Sequence, residues 1–128
     1  MHAKVEKLHT ANAELEDVFE GSFDALMIRH PTGIVEKVNS VCEKNYQLPV
    51  TEIVGQHVKD LEKNGVFSPS VSLQVIENKK PIELFQKTKS GRYLHVRARP
   101  LFNEKGSLIK VVAYSRDLTE LIRLKKKI

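Results

Sequence analysis

The sequence predicts an α+β domain: a single antiparallel five-stranded sheet with short helices on one face and a further helix at either end. Three observations carry this reading. Two short strand-like stretches, residues 24–30 (DALMIRH) and 34–38 (IVEKV), flank a Pro31-Thr32-Gly33 turn and form a hairpin. Three extended stretches, residues 82–89, 93–102 and 108–115, succeed one another through Ser90-Gly91 and Asn103-Glu104-Lys105-Gly106, the order of a meander. Between the two groups only helical patterns occur, and two strands followed by three with helices between them make one antiparallel sheet with helices to one side.

The 128 residues fit one domain and suffice for a core of its own. A composition 41% hydrophobic and 29% charged excludes disorder and fibrous classes. No run approaches the roughly 18 apolar residues of a membrane helix. The polar N-terminus, MHAKVEKLHTANAELED, is not a secretory signal, so a cytoplasmic location without membrane contact is expected. A single cysteine, Cys42, excludes an internal disulfide and a cysteine-based zinc cluster. Of the net charge of +5, much lies in residues 116–128, where five basic side chains face two acidic ones.

Residues 3–20 read as an amphipathic helix. Val5, Leu8, Asn12, Leu15 and Phe19 are spaced 3, 4, 3 and 4 apart, a heptad seam that suits a homodimer, with Asn12 where a buried polar residue sets register. A helix that merely covers its own domain has the same pattern, and the seam is short for a coiled coil. Gly21 and Ser22 end this helix. After the hairpin, Asn39 and Ser40 precede a helix over SVCEKNYQ, with Ser40 and Glu43 spaced as a capping box, and Leu48-Pro49 breaks it. Thr51 opens a further short helical stretch, TEIVGQHVKDLEK, interrupted at Gly55. Ser68-Pro69 is the cap-then-proline order of a helix start, predicting a helix over residues 69–80 that ends before Pro81.

At the C-terminus Asp117 and Glu120 have the spacing of an N-cap and its partner, so a helix starts there. Leu121, Leu124 and Ile128 keep heptad spacing to the last residue, as in a helix that runs on into a further segment. The expected division is an N-terminal dimerisation or linker helix (1–20), a sensor domain (21–117) and the start of an outgoing signalling helix (118–128).

Catalytic patterns are missing from the sequence. The five histidines show no metal-ligand spacing, no Gly-rich phosphate loop occurs, and no nucleophile has a base with local support. The carboxylate pairs Glu14/Glu16 and Asp60/Glu62 read as solvated helix faces. Neither an enzyme nor a metal site is expected. On the strand after Gly91, Tyr93, His95, Arg97 and Arg99 share one face while Leu94, Val96, Ala98 and Pro100 share the other. Aromatic and basic residues on an open sheet can bind single-stranded nucleic acid, but half-solvated sheets ordinarily carry polar residues outward. Direct nucleic-acid binding is not expected.

The element order resembles that of PAS domains over roughly residues 16–121. The stretch VVAYSRDLTEL (residues 111–121) is similar to the family's closing motif, in which an Asp-x-Thr triplet joins the last strand to an outgoing helix. Asn39, Gly55, Gly91 and Pro100 also fall where the family pattern has them. Residues 66–121 resemble more narrowly the sensory PAS domain of bacterial sigma-54-dependent transcriptional activators, and histidine kinases carry close relatives. The resemblance implies a sensory module that detects a small molecule or partner. Its signal would pass through flanking helices to a covalently linked effector, with Asp117, Thr119 and Glu120 at the relay. A ligand-free dimerisation domain is the alternative.

The resemblance also implies where a ligand would sit, between the sheet's inner face and the short helices. Val38, Tyr46, Phe67, Val75, Ile76, Leu84, Leu94, Val96 and Val112 are the candidate lining; the same residues can serve simply as core. Haem and flavin are not expected. The helix over residues 69–80 holds no histidine for a haem iron, and Cys42 lies outside the Asn-Cys-Arg setting of a flavin photosensor. The cofactor, if any, is unknown.

Overall fold

The computed structural model describes residues 2–69 and 71–126, and the side chains of these apart from residues 2–10, 73 and 126. The chain opens with helix α1 (His2–Glu20), then strands β1 (Ala25–Arg29) and β2 (Val35–Val38). Short helices α2 (Val41–Tyr46), α3 (Val50–Ile53) and α4 (Val58–Lys63) follow, then a two-residue strand β3 (Phe67–Ser68) and helix α5 (Val71–Asn78). Strands β4 (Ile82–Thr88), β5 (Tyr93–Phe102) and β6 (Leu108–Asp117) complete the sheet, and α6 (Thr119–Lys126) leaves it.

The strands form one antiparallel sheet in the order β2-β1-β6-β5-β4-β3. It has six strands where five are predicted. The sixth, β3, is too short to show in the sequence; it exists because Phe67 and Ser68 pair with Thr88 and Lys87 at the edge of β4. The hairpin and the meander join where β1 pairs with β6, Met27 opposite Ala113. Alternation along each strand then sorts the residues. Ala25, Met27 and Arg29 of β1, Leu94, Val96 and Ala98 of β5, and Val111, Ala113 and Ser115 of β6 are buried beneath the short helices, which contribute Cys42, Tyr46, Ile53, Val58, Leu61, Val71 and Val75.

Local chemistry fixes the turns. In the β1–β2 hairpin the Gly33 N–H donates to the His30 carbonyl (2.8 Å), and Gly33 has φ +100. A side chain there would also strike the His57 ring, 2.6 Å from the added carbon. His57 caps α4 by accepting from the Lys59 N–H through Nδ1 (3.0 Å). With Nδ1 occupied as an acceptor, Nε2 carries the proton and donates to the Thr32 carbonyl (2.7 Å). One histidine thus holds the hairpin against the helical layer.

Two expected helix starts are corrected. Ser40 makes no capping bond; its own backbone is already helical (φ −64, ψ −22). Its expected partner Glu43 instead accepts from the Val50 N–H (2.9 Å) and caps α3, whose N-cap residue, Pro49, has no polar side chain for the task. The helix predicted from Pro69 begins at Val71, because Ser68 is held in the sheet and the Pro69 carbonyl accepts from Gln86 Nε2 (2.7 Å).

Of the proposed seam on α1, Val5 and Leu8 lie outside the residues whose side chains are described. Asn12 and Leu15 are exposed, and Phe19 is half-buried beneath Lys37, whose ammonium stands 4.8 Å from the ring centre. The end of α1 is tied down by Asn39, which donates to the Phe19 carbonyl (2.9 Å), and by an ion pair between Lys37 and Glu16. At the other end of the chain Leu121 and Leu124 are exposed, and Ile128 lies outside the described residues.

Candidate functional site: the polar centre of the core and the strand-to-helix junction

The inner face of the sheet carries a polar centre within an apolar core. Arg29, on the last turn of alternation in β1, points inward and is 1% exposed. Its Nε lies 3.0 Å from Met27 Sδ, and its guanidinium carbon stands 5.5 Å from the centre of the Phe67 ring. Phe67 in turn packs on Tyr46, ring centres 5.6 Å apart and tilted by 54°. The Tyr46 hydroxyl donates to Ser115 Oγ (3.1 Å), and Asn45 Nδ2 reaches the Ser115 carbonyl and hydroxyl (3.3 Å each). These bonds fasten α2 to β6.

Burial decides the protonation of this centre. Desolvation lowers the Arg29 guanidinium to about 10, still charged at neutral pH, and raises Tyr46 and Cys42 to about 12 each, so both stay neutral. Cys42 donates weakly to the Leu26 carbonyl (3.4 Å) and behaves as a small core residue rather than a thiolate.

Of the candidate pocket residues, Val38, Tyr46, Phe67, Val75, Leu94 and Val96 are buried in this core, and Ile76 and Leu84 are partly buried against it. Val112 is corrected: it sits on the opposite face of the sheet, paired with Ile28 and Arg99, because its neighbours Val111 and Ala113 take the inward positions. A cleft of about 610 Å³ opens between the short helices and the β4–β5 turn, with Tyr46, Leu48, Leu61, Asn64 and Lys89 in its walls. Tyr46 therefore belongs to both cleft and core. Arg29, Asn45 and Ser115 are not among the residues predicted to line the site. The alternation in ALMIR puts Arg29 on the side of Ala25 and Met27, yet alternation alone does not say which side is inside.

The outer face carries the charged row. Tyr93, His95, Arg97 and Arg99 alternate outward as predicted, with His95 Nε2 against Glu83 (2.5 Å) and Arg116 against Asp24 (3.0 Å). Opposite charges interleave along this face.

The junction between sheet and outgoing helix is held by side chains. Asp117 accepts from the Thr119 N–H (2.9 Å) and hydroxyl and from Arg92 Nη1 (2.6 Å). Thr119 Oγ1 accepts from the Tyr93 N–H (3.0 Å), and the Leu118 N–H donates to the Tyr93 carbonyl (2.8 Å). The first turn of α6 is thereby bound to the first residues of β5. Thr119 is buried, whereas Glu120 is exposed, so Asp117 and Thr119 carry the junction. Partial burial pulls the Asp117 carboxyl up, but the bonds from Thr119 and Arg92 outweigh it and hold its pKa below the ordinary aspartate range. A depressed folded pKa contributes stability above the unfolded value, about 4, that is lost as pH falls through the folded value. In urea titrations between pH 6 and 2, Asp117→Asn should therefore lose part of the acid-side fall in stability that the parent shows. Identical profiles would remove Asp117 from the acid response.

This arrangement, an antiparallel sheet curled over short helices with an Asp-x-Thr exit, defines a class. The PAS domain family model matches residues 24–120. The chain belongs to the PAS domain family. No curated protein matches it in sequence. Among solved structures it is similar to the PAS domain of an HTR-like protein from Haloarcula marismortui, at 17% identity and TM-score 0.66, covering 91% of this chain and 99% of that one. The PAS domain of Bordetella pertussis BvgS aligns at 16% identity and TM-score 0.69, covering 95% and 96%. That of the histidine kinase ThkA aligns at 26% identity and TM-score 0.59, covering 74% and 100%. The shared α+β fold agrees with the family match. No described helix is long and apolar enough to cross a membrane.

Proposed function

We propose that this PAS domain is the input module of a cytoplasmic signalling protein. A small molecule or partner is read by the core, and the result passes through the flanking helices of a homodimer to a covalently linked effector. The observation that supports this most directly is the junction, where Asp117 and Thr119 bind the outgoing helix to the sheet rather than leaving it on a free linker. The proposed division into linker helix (1–20), sensor (21–117) and outgoing helix (118–128) follows the same reading. Residues 66–121 favour a sigma-54-dependent transcriptional activator as the effector. A sensor histidine kinase is the second reading, favoured by the likeness to the ThkA domain.

No catalytic step is assigned to the domain. The buried Cys42 and Tyr46 are held neutral, and no described group of His, Cys, Asp and Glu could hold a metal ion. The test is regulation in the full-length protein. Asp117→Ala removes the bonds from Thr119 and Arg92, and Thr119→Ala those to Asp117 and from the Tyr93 N–H; at about 1 kcal/mol per bond the loss is about 2–3 kcal/mol, below the roughly 5–15 kcal/mol by which a domain is stable. Effector output should become independent of the stimulus while the thermal melt of the domain persists. Normal regulation in a folded double variant sinks the relay.

A further inference from the structure

We propose that the Arg29 guanidinium anchors a small monocarboxylate ligand in the core, beneath Tyr46 and Phe67. This rests on the reading of the domain as a small-molecule sensor and names the chemistry of its input. Arg29 is the only charged side chain buried among the described residues, and its Nη1 has no hydrogen-bond partner. A buried cation without an anion is costly, and guanidinium groups inside proteins are ordinarily met by a carboxylate or phosphate. No carboxylate is buried with Arg29 among the described residues. The other buried polar residues, Asn39, Asn45, Ser72, Gln86, Thr88, Ser115 and Thr119, are all neutral. The weak contact to Met27 Sδ carries no charge.

Two more buried polar atoms lack partners, Ser72 Oγ and Gln86 Oε1. They lie on α5 and β4, the elements next to Phe67 in sequence and in pairing. Buried polar atoms are ordinarily hydrogen-bonded, so orphans within one core leave room for a polar guest to complete them. A single buried cation calls for a single negative charge, and a planar carboxylate matches the guanidinium fork. The Phe67 and Tyr46 rings offer apolar walls to the carbon skeleton. Entry is from the 610 Å³ cleft, which Tyr46 lines from the side of the core. A guest that moves Tyr46 breaks its bond to Ser115, which lies two residues before Asp117 on β6. Ligand and relay are thus joined along one strand.

The experiment is thermal denaturation and native mass spectrometry of this chain with acetate, butyrate and benzoate, against phosphate and sulfate at equal ionic strength. A saturable rise in melting temperature is expected with at least one carboxylate, about 10 °C at a hundredfold excess over its Kd. A one-to-one mass adduct should accompany it. Arg29→Met should lose the shift while melting no lower than the parent, and Arg29→Lys, which keeps the charge without the fork, should retain a weaker one. No carboxylate response in the parent, an equal response to phosphate and sulfate, or a shift that survives in Arg29→Met overturns the proposal. The parent and Arg29→Lys decide the matter even if Arg29→Met does not fold. Binding without any change in effector output of the full-length protein leaves the Arg29 site standing and overturns the sensor reading. Lost regulation in Asp117→Ala without carboxylate binding does the reverse.

Discussion

Phe67→Ala should lower stability by about 3–5 kcal/mol, a fall in melting temperature of roughly 12–20 °C for a domain of this length. Phe67 is fully buried and stands between Tyr46 and Arg29. Its removal leaves a cavity in the middle of the core and exposes the guanidinium to it. Because Phe67 is also half of β3, the edge pairing to Thr88 and Lys87 weakens with it. Phe67→Leu separates the contributions. It restores much of the volume but none of the ring, and should recover most of the loss, leaving about 1 kcal/mol for the aromatic and cation contacts. A parent-like melt for Phe67→Ala would show that the ring does not hold the core together.

Asn39→Ala should cost about 2–4 kcal/mol, seen as a lower urea midpoint at unchanged slope. Asn39 is fully buried and binds three backbone groups with one side chain. Its Oδ1 accepts from the Leu26 N–H (2.9 Å), while Nδ2 donates to the carbonyls of Phe19 (2.9 Å) and Asp24 (3.0 Å). It thereby ties the end of α1 to the start of β1, the route by which the N-terminal helix meets the sheet. Alanine leaves these backbone groups without partners where water reaches them only in part. The Leu26 amide should exchange with solvent much faster in the variant. Asn39→Asp keeps the acceptor but loses both donors and buries a charge, so it should rescue little. Parent-like exchange at Leu26 would show that the amide draws its protection from elsewhere.

The likeness to PAS domains was legible because its signs are local. The Asp117-Leu118-Thr119 exit, the Asn39 that closes the hairpin and the glycines at turns each depend on backbone and side-chain chemistry within a few residues. What Asn39 does was less legible, for its position predicts a helix cap as readily as a three-way tie. The pocket residues were found largely as core residues are found, by apolar alternation, which is blind to polar members. Arg29 was missed for that reason. Its inward position conflicts with the rule that charges lie outside, and such conflicts between sequence expectation and structure concentrate at functional sites.

By itself the sequence determined the five longer strands, the turns between them, the flanking helices and the strand-to-helix exit, because periodicity, caps and glycine conformations act over short spans. Only the tertiary structure decided what depends on distant partners. Pairing with β4 created β3, and pairing with β6 turned Val112 outward and Arg29 inward. The spare carboxylate of Glu43 went to α3, and His57 was fixed between helix and hairpin. The physical reason is common to all of these. A strand's alternation specifies two faces but not which is buried, and a side chain's hydrogen-bonding capacity specifies a bond but not its partner, until the sheet closes and brings remote residues together.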